Sequence, residues 1–417
     1  MVNLLPSRRD FLGFGSHWRE DLLAGIAVGV VALPLALGFG IATGTGATSG
    51  IITAIVAGFI AALFGGSRFQ VSGPTGAMTV VLIPIVERYG VPIIAIVGAL
   101  AGLLSIVAGL LRMGRIFARV PWSVLEGFTA GIGIVIALQQ VPLALDISKP
   151  EGGNSLLVAW KSFHQVLSGS VHLEALFMTG LAIVIMVIAP QILKKIPASI
   201  ITVVLCTLVT VILDLKVVEI GQLPRSLPAP SFPEIPRDGW GVIFTSALAV
   251  FALGAIESVL SGKVAEGLAH AQIKLHQPHE FDSDRELFGQ GLATVACVSM
   301  GGIPATGAIA RTAVNVRSGA KSRAASMIHA LFLLVSIALL APVVGRIPVS
   351  ALAGVLIVTA LRMVKPRTLL EAFVTTKSNA ITMVITALST VALDLIRAVA
   401  IGILAHLALS KITRLNR

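Results

Sequence analysis

The sequence predicts an all-α membrane protein of fourteen transmembrane segments, arranged as two inverted seven-helix repeats. Three observations predict it. Only 12% of the 417 residues are charged and 56% are hydrophobic, whereas a domain surrounded by water carries about 25% charged residues. Apolar runs of roughly 15–20 residues recur from end to end, each near the length that crosses a ~30 Å hydrocarbon core. A short motif occurs twice, once in each half of the chain. Backbone groups at that depth have no water to pair with, so the runs form helices. A β-barrel is excluded, because runs such as Ile93–Leu111 and Met327–Ala341 do not alternate apolar with polar residues.

In chain order, the patterning places helices near 22–40, 47–64, 75–87, 92–111, 120–140, 173–189, 198–214, 240–262, 287–299, 305–317, 324–342, 348–362, 379–393 and 396–412. Residues 1–21 are a cytosolic lead-in, polar and mixed in charge (Arg8, Arg9, Asp10, Arg19, Glu20), without the form of a cleavable signal peptide. Residues 22–214 make the first repeat and 239–412 the second. Between them, 215–238 carries Pro224, Pro228, Pro230, Pro233 and Pro236, an extended linker composition. Residues 143–171 and 263–286 are the other long polar interruptions. Pro366–Lys377 is short and amphipathic and is expected along the membrane surface. Residues 413–417 form a cytosolic tail.

Most of the 31 Lys and Arg fall in segments that a cytosolic amino terminus places inside, among them Arg112, Arg115, Arg119, Lys194, Lys195, Arg317, Lys321 and Arg323. By the positive-inside rule both termini are then cytoplasmic. The net charge of +11 is a basic rim facing lipid headgroups and implies no nucleic acid. Cys206 and Cys297 lie in apolar segments without partner spacing, which suggests neither a disulfide framework nor a metal site.

The repeated motif is Gly73-Pro74-Thr75-Gly76-Ala77-Met78 in the first half and Ile303-Pro304-Ala305-Thr306-Gly307-Ala308-Ile309 in the second. Each places Thr-Gly-Ala just after a proline, at the start of an unusually short hydrophobic segment, the third of its seven. Proline disfavours helix before it and suits the first turn of a helix that begins there. The glycine pairs Gly65-Gly66 and Gly301-Gly302 suggest extended backbone leading into each. A repeat with an odd number of helices reverses topology, so the two half-helices enter from opposite faces and aim their amino termini at each other. Free N–H groups and the positive dipole end make such termini anion sites. Short Gly/Pro-interrupted segments at matching positions of two halves are the sequence mark of a transporter's binding site. Ordinary packing glycines are the alternative, and the matched pair argues against it.

Ionisable residues inside a membrane are costly and usually functional. Glu257 falls in the middle of the helix near 240–262, and Ser261 lies one turn on, on the same face. A carboxylate and a hydroxyl so placed can hold a proton or coordinate a small hard cation such as Na⁺. Arg311, within the second half-helix, brings a permanent positive charge suited to planar oxyanions, or serves as ion-pair partner to Glu257. Pro34 removes a backbone hydrogen bond and is expected to kink or break the first helix ahead of Gly38 and Gly40. Glu126 is near a cytosolic helix end, and Glu87 and Arg88 near an outer one. His270, His276 and His279 share a charged loop with Glu280, Asp282 and Asp284, and their spacing fits a solvated loop better than zinc.

The runs Leu33–Gly40, Val71–Thr79, Asp284–Gly291 and Gly307–Arg317 resemble the SulP family of anion transporters, and the likeness extends over essentially the whole chain. The resemblance implies core and gate domains (helices 1–4 with 8–11, and 5–7 with 12–14), homodimers in the plasma (inner) membrane and an elevator-like movement. The substrate is expected among bicarbonate, sulfate and C4-dicarboxylates, with Phe39, Thr75, Gly76, Ala77, Thr306, Gly307, Ala308 and Arg311 as candidate binding residues; the resemblance implies anion binding at Thr75. In bicarbonate-transporting members, the positions of Glu257 and Ser261 are Asp and Thr, which bind Na⁺. In dicarboxylate-transporting members the carboxylate couples to protons. The expected function is therefore H⁺- or Na⁺-coupled symport, with an uncoupled exchanger or anion channel as the alternative. No cofactor is expected, and no nucleophile–base pair or metal motif marks an enzyme. Family members usually continue into a cytosolic STAS domain; here the sequence reaches Arg417 just past the last helix, so a membrane domain without it is expected.

Overall fold

The computed structural model describes residues 4–11, 15–150, 155–169, 172–193, 196–231, 238–273, 281–375, 377–393 and 395–415. In the first half of the chain run α1 (Trp18–Ala42), α2 (Ala47–Phe64), β1 (Ser72–Gly73), α3 (Gly76–Tyr89) and α4 (Ile93–Leu110). They are followed by α5 (Gly114–Phe117), α6 (Trp122–Gln139), α7 (Val141–Ala144), α8 (Ser155–Leu167), α9 (Leu173–Ile192) and α10 (Ala198–Ile212). In the second half come α11 (Trp240–Ile273), α12 (Ser283–Ser299), β2 (Thr306–Gly307), α13 (Ile309–Arg317) and α14 (Ala324–Val344). The last are α15 (Val349–Leu361), α16 (Pro366–Thr375), α17 (Lys377–Ala392) and α18 (Leu395–Leu415). Helices occupy all fourteen expected stretches. Among the described residues, eight helical stretches are long and apolar enough to cross a membrane alone. Their recurrence makes the chain a multi-pass integral membrane protein. The half-helices are not among them: α3 has 14 residues and α13 has 9. At ~1.5 Å per residue they rise about 21 and 13 Å, short of a ~30 Å core.

The chain divides into two compact units, each assembled from separated stretches. The first, residues 1–118, 195–200 and 220–346, contains α1–α5, α11–α14 and both strands. Here α4 and α2 pack on α12, and α1 packs on α2 and α14. Small residues let the backbones close: a methyl on Gly102 of α4 would stand 2.9 Å from the Gly291 carbonyl of α12. The second unit, residues 119–194, 201–219 and 347–417, packs α17 on α6 and α18, and α15 on α9 and α6. Glu126 is ion-paired there with Lys365 at 2.9 Å.

Four local features depart from expectation. α1 continues through Pro34 without a break. A proline inside a helix costs about 3 kcal/mol, but residues 32–40 are buried and α1 is held by α2 and α14. Unwinding in lipid would strand several more backbone groups than the one bond proline removes. A helix, α8, lies within the interruption expected over 143–171. α11 runs on to Ile273, and α12 begins at Ser283, where Asp282 caps it by accepting from the Asp284 and Arg285 amides at 3.0 Å. Finally, α13 begins at Ile309 rather than near 305, because Thr306 and Gly307 are strand. His276, His279, Glu280, Pro233 and Pro236 lie outside the described residues, as do Lys194 and Lys195.

Before α1, the turn at Arg8–Phe11 docks onto the first unit. Arg285 donates to the Phe64 carbonyl at 3.1 Å, and Arg323 to the Ala62 and Gly65 carbonyls at 3.1 and 2.7 Å. Both thus close the carboxyl end of α2, where cations are favoured. Asp10 is the carboxylate they share: its Oδ1 accepts from Arg285 Nη1 at 2.8 Å and lies 3.3 Å from Arg323 Nη2. Burial pushes the Asp10 carboxyl up. The Arg285 hydrogen bond, the Ser7 amide and the Arg323 and Arg285 charges outweigh burial and hold it at about 2.

Candidate functional site

All the candidate binding and coupling residues fall in the first unit. Approaching the half-helices, the chain is extended, and extended backbone away from water must find partners. The two approaches supply each other. β1 and β2 pair antiparallel, Ser72 with Gly307 and Gly73 with Thr306. The Ala308 amide donates to Val71 O at 2.8 Å, and the Val71 amide to Thr312 Oγ1 at 3.0 Å. Gly307 N donates to Ser258 Oγ of α11 at 3.0 Å. Gly307 also has no room for a side chain, since a Cβ there would overlap the Gln70 amide.

The two motifs therefore play unequal parts. Thr75 is the N-cap of α3, with extended backbone and its hydroxyl accepting from Met78 N at 3.3 Å. Thr306 caps nothing; Ala308 is the N-cap of α13 and makes no side-chain cap. Even so the two hydroxyls converge. Thr75 Oγ1 and Thr306 Oγ1 are 3.0 Å apart, and both reach the same oxygen of Glu257, at 2.9 and 2.7 Å. One carboxylate oxygen of α11 thus ties the cap of one half-helix to the strand leading into the other. Gly76, Ala77, Gly307 and Ala308 are buried around this junction.

Three oxygens in mutual contact can be joined by three hydrogen bonds only when three protons are present. The two threonines supply two. An ionised Glu257 accepts both and leaves the threonine pair unbonded; a protonated Glu257 completes the ring. The bonding of the cluster can therefore change with one proton, and its oxygens are of the kind that coordinate a small hard cation.

Arg311 is 2% exposed and turned into the body of the unit. Its Nη2 donates to the Pro74 carbonyl at 2.6 Å, and no ion pair within 4 Å joins it to Glu257. The alternative Glu–Arg ion pair is not formed; Arg311 instead braces the residue preceding Thr75, with its positive charge behind the amino end of α3. Gly73 makes room for it, since a Cβ there would stand 2.7 Å from Arg311 Nη1. Ser261 is fully buried with its hydroxyl 3.2 Å from Thr312 Oγ1, so it supports the wall of α13. Phe39 is buried on α1, which packs against both α3 and α13. Among the described residues no group of three His, Cys, Asp or Glu could hold a metal ion. His270 keeps its Nδ1 2.8 Å from the Glu266 carbonyl.

Sequence reasoning missed the frame that holds the strands. Glu286 of α12 accepts from the Gly66 and Ser67 amides at 2.9 and 3.3 Å, and from Gln70 Nε2 at 2.7 Å. Gln290, one turn on, donates to Ser72 Oγ. Thr53 of α2 receives the Ile303 amide at 2.7 Å. The signal for Glu286 and Gln290 was present in the run Asp284–Gly291, two polar residues four apart in an apolar helix.

Known proteins resemble this chain in sequence and in fold. Over 400 residues the chain is 34% identical to a putative sulfate transporter, YvdB, of Bacillus subtilis, covering 94% of this chain and 74% of that protein. It superimposes on the transmembrane domain of a cyanobacterium bicarbonate transporter, BicA, with a TM-score of 0.84 at 31% identity, covering 92% of this chain and 97% of that one. SLC26A9 gives a TM-score of 0.85 at 16% identity, covering 99% and 68%, a likeness of fold. The fold is thus the one these membrane domains share, two inverted seven-helix repeats with core and gate domains and a pair of half-helices that meet. These relatives are named as transporters rather than enzymes. The sequence model of the sulfate permease family matches residues 18–386, and the chain belongs to that family.

Proposed function

We propose that the protein is a cation-coupled symporter of a small oxyanion: sulfate, bicarbonate or a C4-dicarboxylate. The observation that carries it is the shared contact of Thr75 and Thr306 with one oxygen of Glu257. A group that gains or loses a cation there acts directly on both half-helices, so coupling and anion binding meet in one place. The anion lies at the amino end of α3, with Thr75, Gly76 and Ala77, and against Thr306–Ala308 across the strand pair. Phe39 supplies an apolar wall. Two half-helix termini offer roughly half a charge each, and Arg311 adds a full charge from behind. The coupling ion is H⁺ or Na⁺ at Glu257, with Ser261 backing the site, and the proton count of the oxygen cluster favours H⁺. Sulfate and bicarbonate are the substrates named for the relatives.

The protein works by elevator-type alternating access, as a homodimer in the plasma (inner) membrane with both termini cytoplasmic, in keeping with the positive-inside pattern. Uptake into proteoliposomes under imposed pH or Na⁺ gradients, with sulfate, bicarbonate and succinate as probes, tests the reading. Saturable accumulation that follows one gradient supports it. Ohmic current, or exchange indifferent to both gradients, replaces it with a channel or an exchanger.

A further inference from the structure

His329, on α14, is fully buried, and neither ring nitrogen has a hydrogen-bond partner. Such a group in an apolar interior is costly and calls for an explanation. Arg311 Nη1 is in the same condition: buried, with no partner, while Nη2 holds Pro74 O. One is left with an unused donor and the other with an unused acceptor.

Helix α2 shows how they are placed. A Cβ on Gly58 would stand 3.3 Å from the Ser72 carbonyl oxygen and 3.4 and 3.6 Å from Cε1 and Nδ1 of His329. A Cβ on Gly73 would stand 2.7 Å from Arg311 Nη1 and 3.3 Å from the Cα of Ala54. Ala54 and Gly58 are one turn apart on one face of α2. The imidazole and the guanidinium therefore flank consecutive residues of β1, the ring near the Ser72 carbonyl and the guanidinium at Gly73. No direct hydrogen bond joins them, and two bonds of ~2.8 Å through one water can link polar groups that border neighbouring residues.

We propose that a buried water bridges Arg311 Nη1, the unprotonated ring nitrogen of His329 and the Ser72 carbonyl. Gly58 keeps the space open. The water accepts from the guanidinium and donates to the ring and the carbonyl, three bonds in all, the usual number for an internal water. His329 is then a positioning residue. It fixes the plane of the guanidinium so that Nη2 stays on Pro74 O and the charge stays behind the amino end of α3. The inference rests on the reading of Arg311 as a charge that favours the bound anion.

The test uses the full-length protein in lipid nanodiscs. Sulfate and bicarbonate binding is measured by titration calorimetry for His329→Leu, His329→Gln, Gly58→Val and Arg311→Ala. In parallel, the His329 ring nitrogens are followed by ¹⁵N NMR, identified by their loss in His329→Gln. His329→Leu and Gly58→Val are expected to weaken binding about tenfold, ~1.4 kcal/mol. His329→Gln, which can both donate and accept, should restore it to within a few-fold. Arg311→Lys, which removes Nη1, should shift the His329 nitrogens. Wild-type affinity in His329→Leu, with binding lost in Arg311→Ala, overturns the positioning role and leaves the Arg311 reading intact. Wild-type affinity in Arg311→Ala overturns that reading instead. The water bridge is then judged by the nitrogen shifts alone, and shifts unchanged in Arg311→Lys overturn it. If His329→Leu fails to fold, the glutamine variant and the NMR comparison still decide.

Discussion

Thr75 and Thr306, 231 residues apart in sequence, hold their hydroxyl oxygens 3.0 Å from each other. Each also touches Glu257 Oε2, so the junction of the two repeats is a triangle of oxygens. Its corners come from a helix cap, a strand and a long helix. None of the three can move without changing what the other two are bonded to.

Glu257→Gln keeps the shape of the side chain and removes the group that changes charge. Accumulation driven by a pH or Na⁺ gradient is expected to be lost, while anion exchange between equal concentrations survives in part. Proteoliposome uptake of labelled sulfate or bicarbonate, run in both modes, checks this. Full gradient-driven accumulation in the variant would remove Glu257 from the coupling step.

The two threonines should differ when each is changed to valine. Thr75→Val loses both its bond to Glu257 and the N-cap of α3, and caps are worth about 1 kcal/mol. Thr306→Val loses only side-chain contacts, because its backbone serves the strand. Both should depress uptake, but only Thr75→Val should also lower the thermal midpoint clearly. Thermal unfolding by intrinsic fluorescence, with Thr→Ser at each position as control, distinguishes them. Equal midpoints would mean that the Thr75 cap adds no stability.

Arg311→Ala should weaken anion binding strongly, by about tenfold or more, ~1.4 kcal/mol. Lysine should restore it in part, since it returns the charge but not the planar fork under Pro74 O. The double variant Arg311→Ala/Glu257→Gln separates a counter-charge for the anion from a counter-charge for Glu257. Because no ion pair within 4 Å joins the two residues, no recovery of affinity is expected. Wild-type affinity in the double variant, measured by calorimetry, would show that Arg311 serves Glu257 instead.

Asp10→Asn should destabilise the first unit by about 1–3 kcal/mol, since Arg285 and Arg323 would keep their burial and lose their carboxylate. The pH dependence has a definite sign. The folded-state value of Asp10, about 2, lies below its ordinary value of 3.8. Its contribution is therefore present in full above 3.8 and is lost as pH falls through about 2. The gap in thermal midpoint between wild type and Asp10→Asn should be constant near neutrality and close across that acid window. A gap that persists unchanged at the acid end would assign the loss to packing rather than charge.

The sequence by itself determined the class of fold and the neighbourhood of the site. The thickness of a bilayer sets helix length, so apolar runs marked fourteen stretches that all prove helical, and the repeated Pro-to-Thr-Gly-Ala motif singled out α3 and α13. Glu257 and Arg311 stood out because charge is rare inside an apolar run. The tertiary structure decided which groups those residues meet. Thr306 lies in a strand rather than a helix cap because two extended segments, far apart in sequence, had only each other to bond with. Arg311 turns to Pro74 O, and Ser261 to Thr312, because burial leaves each polar group to the nearest unused partner. α1 passes through Pro34 because α2 and α14 press on it from outside the segment. Periodicity reports which face of a helix is apolar. It carries no information about which carbonyl or hydroxyl, hundreds of residues away, will stand opposite a given side chain.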